Sequence, residues 1–134
     1  MTETQTFFFD IIQLVPVGSV CFIQAPSLDD FEYQQVMQSS PFPYFQHVVL
    51  TAENKERLSK LVKLKQLEKY FHSLEVRVEG NLLLEAFDGM EIGTFSKKFK
   101  LPVNLKISIK AWERLLFQGN GKAIHNFGQC YTTA

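Results

Sequence analysis

Apolar and polar positions alternate most clearly over residues 73–99. Leu and Val alternate with charged residues over 74–79, which is typical of a strand with one buried and one solvated face. Residues 82–87 are apolar on nearly both faces, as in a central strand, and 91–99 supply a third strand. Two turn signals separate these strands, Gly80-Asn81 and Asp88-Gly89. The pattern predicts an antiparallel meander.

Helical spacing precedes the meander. Between residues 53 and 71, apolar residues recur at intervals of three and four, which predicts an amphipathic helix packed on one face of the meander. They are Leu58, Leu61, Val62, Leu64, Leu67, Tyr70 and Phe71. Thr51 can cap this helix, and Glu53 and Glu56 suit its first turn. A break near Lys65 stays open.

The first fifty residues are rich in phenylalanine and allow more than one interpretation. Residues 7–15 and 17–25 fit two strands around a turn, or a short helix followed by a strand. Ser27 is a candidate N-cap for a short helix over 28–38, which Pro41 would end, and 45–50 indicates a buried strand. Further along, periodicity does not decide between strand and helix for residues 103–117. The last residues, from Asn126 onward, are polar.

Length and composition add the fold class. The chain has 134 residues, 46% of them hydrophobic, with 13 Phe to form a core. We therefore expect a single α+β domain over 1–134, an antiparallel β-meander sheet with one or two packed amphipathic helices. No apolar run reaches the ~18 residues that a bilayer span requires, so no membrane association is expected. With only Cys21 and Cys130, a reducing cytoplasm is the favoured location, although a bridge between these two cysteines stays open.

Charge is distributed unevenly although the net charge is zero. Residues 1–54 contain six acidic residues and no Lys or Arg, whereas 55–134 hold all 14 basic residues against eight acidic ones. Such asymmetry often marks an interaction surface. The alternative is that the two parts pack together and their opposite charges partly cancel. The lysine-rich stretch 55–69 is interrupted by Glu56 and Glu68 and lacks interleaved aromatics. A solvated helix face that makes no direct nucleic acid contact is the favoured interpretation, and a module that contacts phosphates through this helix is the further option.

Motifs for catalysis, metal or cofactor binding are missing from the sequence. His and Cys residues are scattered singly, with no paired spacing that would preset a metal shell. Residues 119–122, Gly-Asn-Gly-Lys, lack the spacing and the Ser or Thr of a P-loop. Cys21 beside His47 or His125 is formally a nucleophile with its base, but no local signature supports this arrangement. We therefore expect no enzyme, no metal and no cofactor.

Glu85 is the carboxylate of the most apolar strand. A buried carboxylate costs free energy unless it is paired, so we predict that Glu85 is partly buried beside a basic or polar partner such as Arg77. The alternative is a general acid or base with a raised pKa. That alternative describes an enzyme or small-ligand-binding domain with a pocket over the meander, using Glu85, His47 or His72.

Residues 82–97 read LLLEAFDGMEIGTFSK, an apolar strand with Glu, an aromatic-Asp-Gly turn, then Gly, an apolar residue and Ser-Lys. This segment, together with the preceding 67–71 and 74–76, resembles small immunity proteins of bacterial polymorphic toxin and contact-dependent growth inhibition systems. The resemblance covers about thirty residues and implies the meander fold. It also implies a non-enzymatic inhibitor that binds a cognate toxin domain.

Such an inhibitor gains association rate and specificity from a negative patch when its partner is cationic. The acidic first part of the chain offers one such cluster near a predicted helix start, with aromatic residues beside the charges. Aromatic residues next to charges are typical of binding hot spots. The predicted partner-binding residues are Asp29, Asp30, Phe31, Glu32 and Tyr33.

Overall fold

This computed structural model describes residues 3–90 and 92–95, with side chains from Thr4 to Met90. These ranges contain three α-helices, one 3-10 helix and six strands. In chain order the elements are α1 Glu3–Leu14, β1 Val20–Gln24, α2 Phe31–Val36, β2 Gln38–Ser39, β3 Gln46–Val49, α3 Ala52–Lys65, a 3-10 helix Leu67–Tyr70, β4 Ser73–Val78, β5 Asn81–Phe87 and β6 Ile92–Phe95. The segment 103–117, the turn at 119–122, His125 and Cys130 lie outside the described residues.

The strands form one antiparallel sheet in the order β2-β3-β1-β4-β5-β6. The predicted α+β class and the predicted meander are confirmed, because β4, β5 and β6 pair in sequence. Strand β1 lies in the middle of the sheet, between β3 and β4. A bulge between Val76 and Arg77 shifts the register of β4 on β5.

The open choice in the first 25 residues resolves to a helix followed by a strand. In α1 the side chains of Phe7, Phe8, Ile11 and Ile12 are all buried, and their spacing of one, three and one places them on one helical face. A strand would send adjacent pairs such as Phe7 and Phe8 to opposite faces. The chain then turns at Gly18, whose φ of +95 suits glycine, and enters β1.

The second helix is shorter than predicted and begins at a different cap. Instead of spanning 28–38 from Ser27, α2 spans Phe31–Val36, and Asp30 is its N-cap. The Asp30 carboxylate accepts a hydrogen bond from the Tyr33 N–H at 3.0 Å, the usual capping geometry. Met37 is already extended, and β2 follows it at once, so the helix ends before Pro41 is reached.

The third helix follows the prediction closely. Thr51 is its N-cap, accepting from the Asn54 N–H at 3.1 Å. The break near Lys65 is real, because Gln66 adopts a left-handed conformation with φ 53 and a 3-10 helix follows. Leu64 departs from the prediction and is 68% exposed. At 100° per residue it lies roughly 110° from the centre of the stripe formed by Leu58, Leu61 and Val62.

The hydrophobic core lies between the helices and one face of the sheet. We call this the inner face; its buried side chains are Cys21, Ile23, Val48, Leu74, Val76, Leu84 and Ala86. They share one cluster with the apolar side chains of α1, α2 and α3. None of the described helices is long and apolar enough to cross a membrane.

The two meander turns differ in how the chain reverses. The first turn is centred on Glu79 and Gly80, both with positive φ, one residue earlier than the predicted Gly80-Asn81. In the second turn the Gly89 N–H donates to the Phe71 carbonyl at 2.9 Å. A side chain at Gly89 would meet the backbone of Lys69 at 3.4 Å, so glycine permits this close approach of the turn to the 3-10 helix.

Candidate functional site

The start of α2 is held to the end of α3 by one lysine. The Lys65 ammonium lies 2.8 Å from an Asp30 carboxylate oxygen and 3.0 Å from a Glu32 carboxylate oxygen. The hydrogen bond from Lys65 and the one from the Tyr33 N–H hold the pKa of Asp30 below its usual value. The same two carboxylates raise the pKa of Lys65. The geometry fixes where α2 begins and orients the residues around it.

The five predicted partner-binding residues separate into two groups. Asp29, Phe31 and Glu32 are exposed, Phe31 to 76%. Asp30 is half-buried as the helix cap. Tyr33 is 1% exposed and lies in the core, with its ring centroid 6.3 Å from that of Phe71. A partner can therefore contact Asp29, Phe31 and Glu32, whereas Tyr33 packs α2 against the core.

A shallow groove adjoins Glu32 where α2 packs on α3. It has a volume of about 240 Å³ and is lined by Glu32, Gln35, Val36, Arg57, Lys60, Leu61 and Leu64. Leu64 gives this surface a second exposed apolar side chain besides Phe31. We call the exposed side chains Asp29, Phe31, Glu32 and Leu64 the α2 surface. The sequence pattern missed Leu64 and Lys65, although the position of Leu64 off the apolar stripe was a usable signal.

The face of the sheet turned away from the helices is the second candidate site. We call it the outer face; the register places His47, Phe22, Glu75 and Glu85 in one row across β3, β1, β4 and β5. Arg77 donates to Glu75 at 3.0 Å and lies 5.6 Å from the centroid of the Phe42 ring. Phe42 in turn packs on Phe22, with ring centroids 5.0 Å apart. The outer face therefore holds aromatic and charged groups that contact one another.

Glu85 is partly buried, as predicted, but Arg77, the example given for its basic or polar partner, pairs with another residue. Arg77 pairs with Glu75, which directly faces Glu85 across the strands, and within residues 4–90 no ion pair reaches Glu85. Burial raises the pKa of Glu85, the Glu75 carboxylate raises it further, and Arg77 acts in the opposite direction. The bulge accounts for the difference, because beyond Val76 it places Arg77 opposite Leu82.

The remaining candidates for chemistry do not converge. Cys21 is fully buried on the inner face, whereas His47 lies on the outer face, so the two cannot act together. Burial also raises the pKa of the free Cys21 thiol, which disfavours the nucleophilic thiolate. His72 is exposed in the connection before β4, outside the row of His47 and Glu85. Over the described ranges, no group of His, Cys, Asp and Glu could hold a metal ion.

Two lysines of the basic stretch 55–69 are engaged in holding the fold. Lys65 binds the α2 carboxylates, and the Lys55 ammonium donates to the backbone carbonyls of Gln13 and Val15 at the end of α1. Arg57, Lys60 and Lys63 are exposed. The stretch is thus divided between cations that hold the fold and cations that are exposed.

Comparison with protein-family models, with curated proteins and with solved structures found no significant match to this chain.

Proposed function

We propose that the protein is a non-enzymatic cytoplasmic inhibitor that binds and neutralises a bacterial toxin domain through the α2 surface. The observation that carries the proposal is the exposure of Phe31 on a helix start that is fixed by a cap and an ion-pair clamp. A large apolar ring in water contributes little to folding but can supply a binding anchor. The cap and the ion pairs hold the backbone at this helix start, which lowers the entropy that binding has to remove.

The charges around Phe31 support a cationic partner. Asp29 and Glu32 are near Phe31 in the chain, and Lys65 neutralises part of the acidic cluster by binding Asp30 and Glu32. Asp29 is the acidic residue of this cluster that no described ion pair engages, so it is the charge most available for steering. The toxin class of the partner rests on the resemblance of residues 82–97 to immunity proteins.

Growth rescue tests the proposal. The gene product encoded directly upstream would be expressed in a bacterial host, with and without this protein. We expect the upstream product to stop growth, co-expression to restore it, and the two proteins to co-purify in a one-to-one complex. An upstream product that is harmless, or toxicity that co-expression leaves unchanged, would contradict the proposed inhibitor.

Charge reversal at Asp29 tests the surface. We expect Asp29→Lys to slow association with the toxin domain by about tenfold at low salt, because like charges then meet, and to lose much of that effect at high salt. Glu79→Lys, which makes the same charge change at the exposed β4–β5 turn, is the matched control. Equal rates for both variants at low salt would place the contact elsewhere.

The second candidate function is a small-ligand or enzymatic site on the outer face. The facing carboxylates of Glu75 and Glu85 favour it, since one is paired with Arg77 and the pKa of the other is raised. A buried His47 Nδ1, for which the described part of the chain shows no hydrogen-bond partner, lies in the same row. Loss of a measured activity in Glu85→Gln at unchanged stability would support this candidate over the inhibitor.

A further inference from the structure

Helices α1 and α3 form the walls of a second groove, which the proposed inhibitor function does not use. Its volume is about 590 Å³, within the range of small-molecule sites. Its lining residues are Phe9, Gln13, Val17, Ala52, Lys55, Glu56, Ser59, Lys60 and Lys63. Those from α3 recur at intervals of three and four, so one ridge of the helix forms a whole wall.

The groove is apolar along α1 and positively charged along α3. Phe9 and the largely exposed Val17 contribute apolar surface. The lining contains three lysines and one carboxylate, that of Glu56, so its net charge is positive. Lysine stems add further apolar surface while their ammonium groups stay in water. A ligand that matches both properties has an apolar body and an anionic head.

The lysines of the groove have different roles. Lys55 is bound to the backbone carbonyls of Gln13 and Val15, which joins the two helices at one end of the groove and keeps its shape. Lys60 and Lys63 are exposed, and no ion pair engages them within residues 4–90. Two free ammonium groups three residues apart are neighbours on the helix surface. They are placed to bind one small anionic group.

We propose that the groove between α1 and α3 binds a small amphipathic carboxylate, with its chain along Phe9 and Val17 and its head at Lys60 and Lys63. A carboxylate accepts charge-assisted hydrogen bonds from both ammonium groups, and burying the chain removes apolar surface from water. Lys60 also lines the smaller groove beside α2, but this site is otherwise separate from the α2 surface. A protein that binds no carboxylate in this groove could therefore still have the proposed inhibitor function.

The test is calorimetric titration of the full chain with decanoate in low-salt buffer, kept below its micelle concentration. We expect saturable one-to-one binding, and at least tenfold weaker binding by decyltrimethylammonium, which has the same chain length and the opposite charge. Acetate, which has the head without the chain, is also expected to bind at least tenfold more weakly. No binding of decanoate, or equal binding of the two decyl compounds, would overturn the proposal.

Variants locate the site. Lys60→Gln combined with Lys63→Gln should weaken decanoate binding at least tenfold, and Lys69→Gln, an exposed lysine of the 3-10 helix, should leave it unchanged. Both variants change exposed side chains, and matching thermal melts would confirm that each is folded. If either variant does not fold, the shifts of backbone NMR signals on adding decanoate to the unaltered protein locate the site. Equal effects of the two variants, or shifts that avoid Val17, Ser59 and Lys63, would place binding outside the groove.

Discussion

The outer face of the sheet and the α2 surface both carry aromatic and charged side chains, but they use them differently. On the outer face Phe22 packs on Phe42, and Arg77 contacts Glu75 and Phe42. On the α2 surface the charges are clamped by Lys65, while Phe31 remains three-quarters exposed. An aromatic ring that is already packed contributes to folding, whereas an exposed one remains available for binding. The two regions should therefore respond differently to mutation.

Removing the packed ring gives the largest expected effect on stability. Phe22→Ala should lower the free energy of unfolding by about 3 kcal/mol, because the ring is 9% exposed and leaves a cavity beside Phe42 and His47. Urea unfolding followed by circular dichroism measures this loss. Tyr44→Ala, which removes an 87% exposed ring from the β2–β3 connection, should cost less than about 0.5 kcal/mol. Similar losses in the two variants would remove the basis of the comparison.

Removing the outer-face cation should have an intermediate effect. Arg77→Met takes away the partner of Glu75 and leaves the two facing carboxylates without the one cation that residues 4–90 pair with them. Because these side chains are partly exposed, we expect a loss of about 1 kcal/mol in the free energy of unfolding. The loss should be smaller when the same change is made in a Glu85→Gln background, as a double-mutant cycle measures. An equal loss in both backgrounds would show that Arg77 does not act on the Glu75–Glu85 pair.

Glu85→Gln should have the smallest effect on the outer face, and it should be stabilising. The raised pKa of Glu85 means that the folded state favours the protonated carboxyl, so this residue's contribution to stability falls as pH rises from the ordinary Glu value of 4.5 through the raised pKa. Glutamine lacks this titration. The variant should therefore gain stability over the parent between pH 4 and pH 7, by less than about 1 kcal/mol at pH 7.

Urea unfolding of Glu85→Gln and of the parent protein, at several pH values between 4 and 7, measures this difference. If glutamine lowered stability at pH 7, as pairing of Glu85 with Arg77 would require, the facing-carboxylate account of the outer face would be wrong. Pairing of Glu85 with Arg77 and the observed position of Glu85 opposite Glu75 thus predict opposite signs for the change in stability.

How far the sequence predicted the fold depends on whether a pattern was local. The meander and α3 follow from alternation, helical spacing and a Thr51 cap, all of which act within a few residues. The insertion of β1 between β3 and β4 joins residues about fifty positions apart, as in the pairing of Cys21 with Val76. No local pattern encodes such a pairing. The bulge at Val76 and Arg77, which places Arg77 opposite Leu82, also cannot be predicted from periodicity.

The candidate site was predicted in part for the same reason. Composition located the acidic cluster with its aromatics, and Asp29, Phe31 and Glu32 are exposed as a binding surface requires. The sequence did not indicate that Asp30 and Tyr33 hold the fold while the other three residues are exposed, because this division depends on α2 starting after Asp30 as its cap. The clamp also requires Lys65, which is 35 residues away in the chain. Tyr33 lies in the core because it is two residues into a short helix whose inner side packs on Phe71.

The central claim is that the α2 surface binds the partner, and Phe31 tests it most directly. The measurement is the dissociation constant of the complex with the co-purified toxin domain, taken for Phe31→Ala and Tyr44→Ala, with the free energy of unfolding of each variant. We expect Phe31→Ala to weaken binding by roughly 30-fold or more, as a hot spot of about 2 kcal/mol would, at stability within about 0.5 kcal/mol of the parent. Tyr44→Ala should leave both quantities unchanged. Equal dissociation constants for Phe31→Ala and the parent would contradict the account.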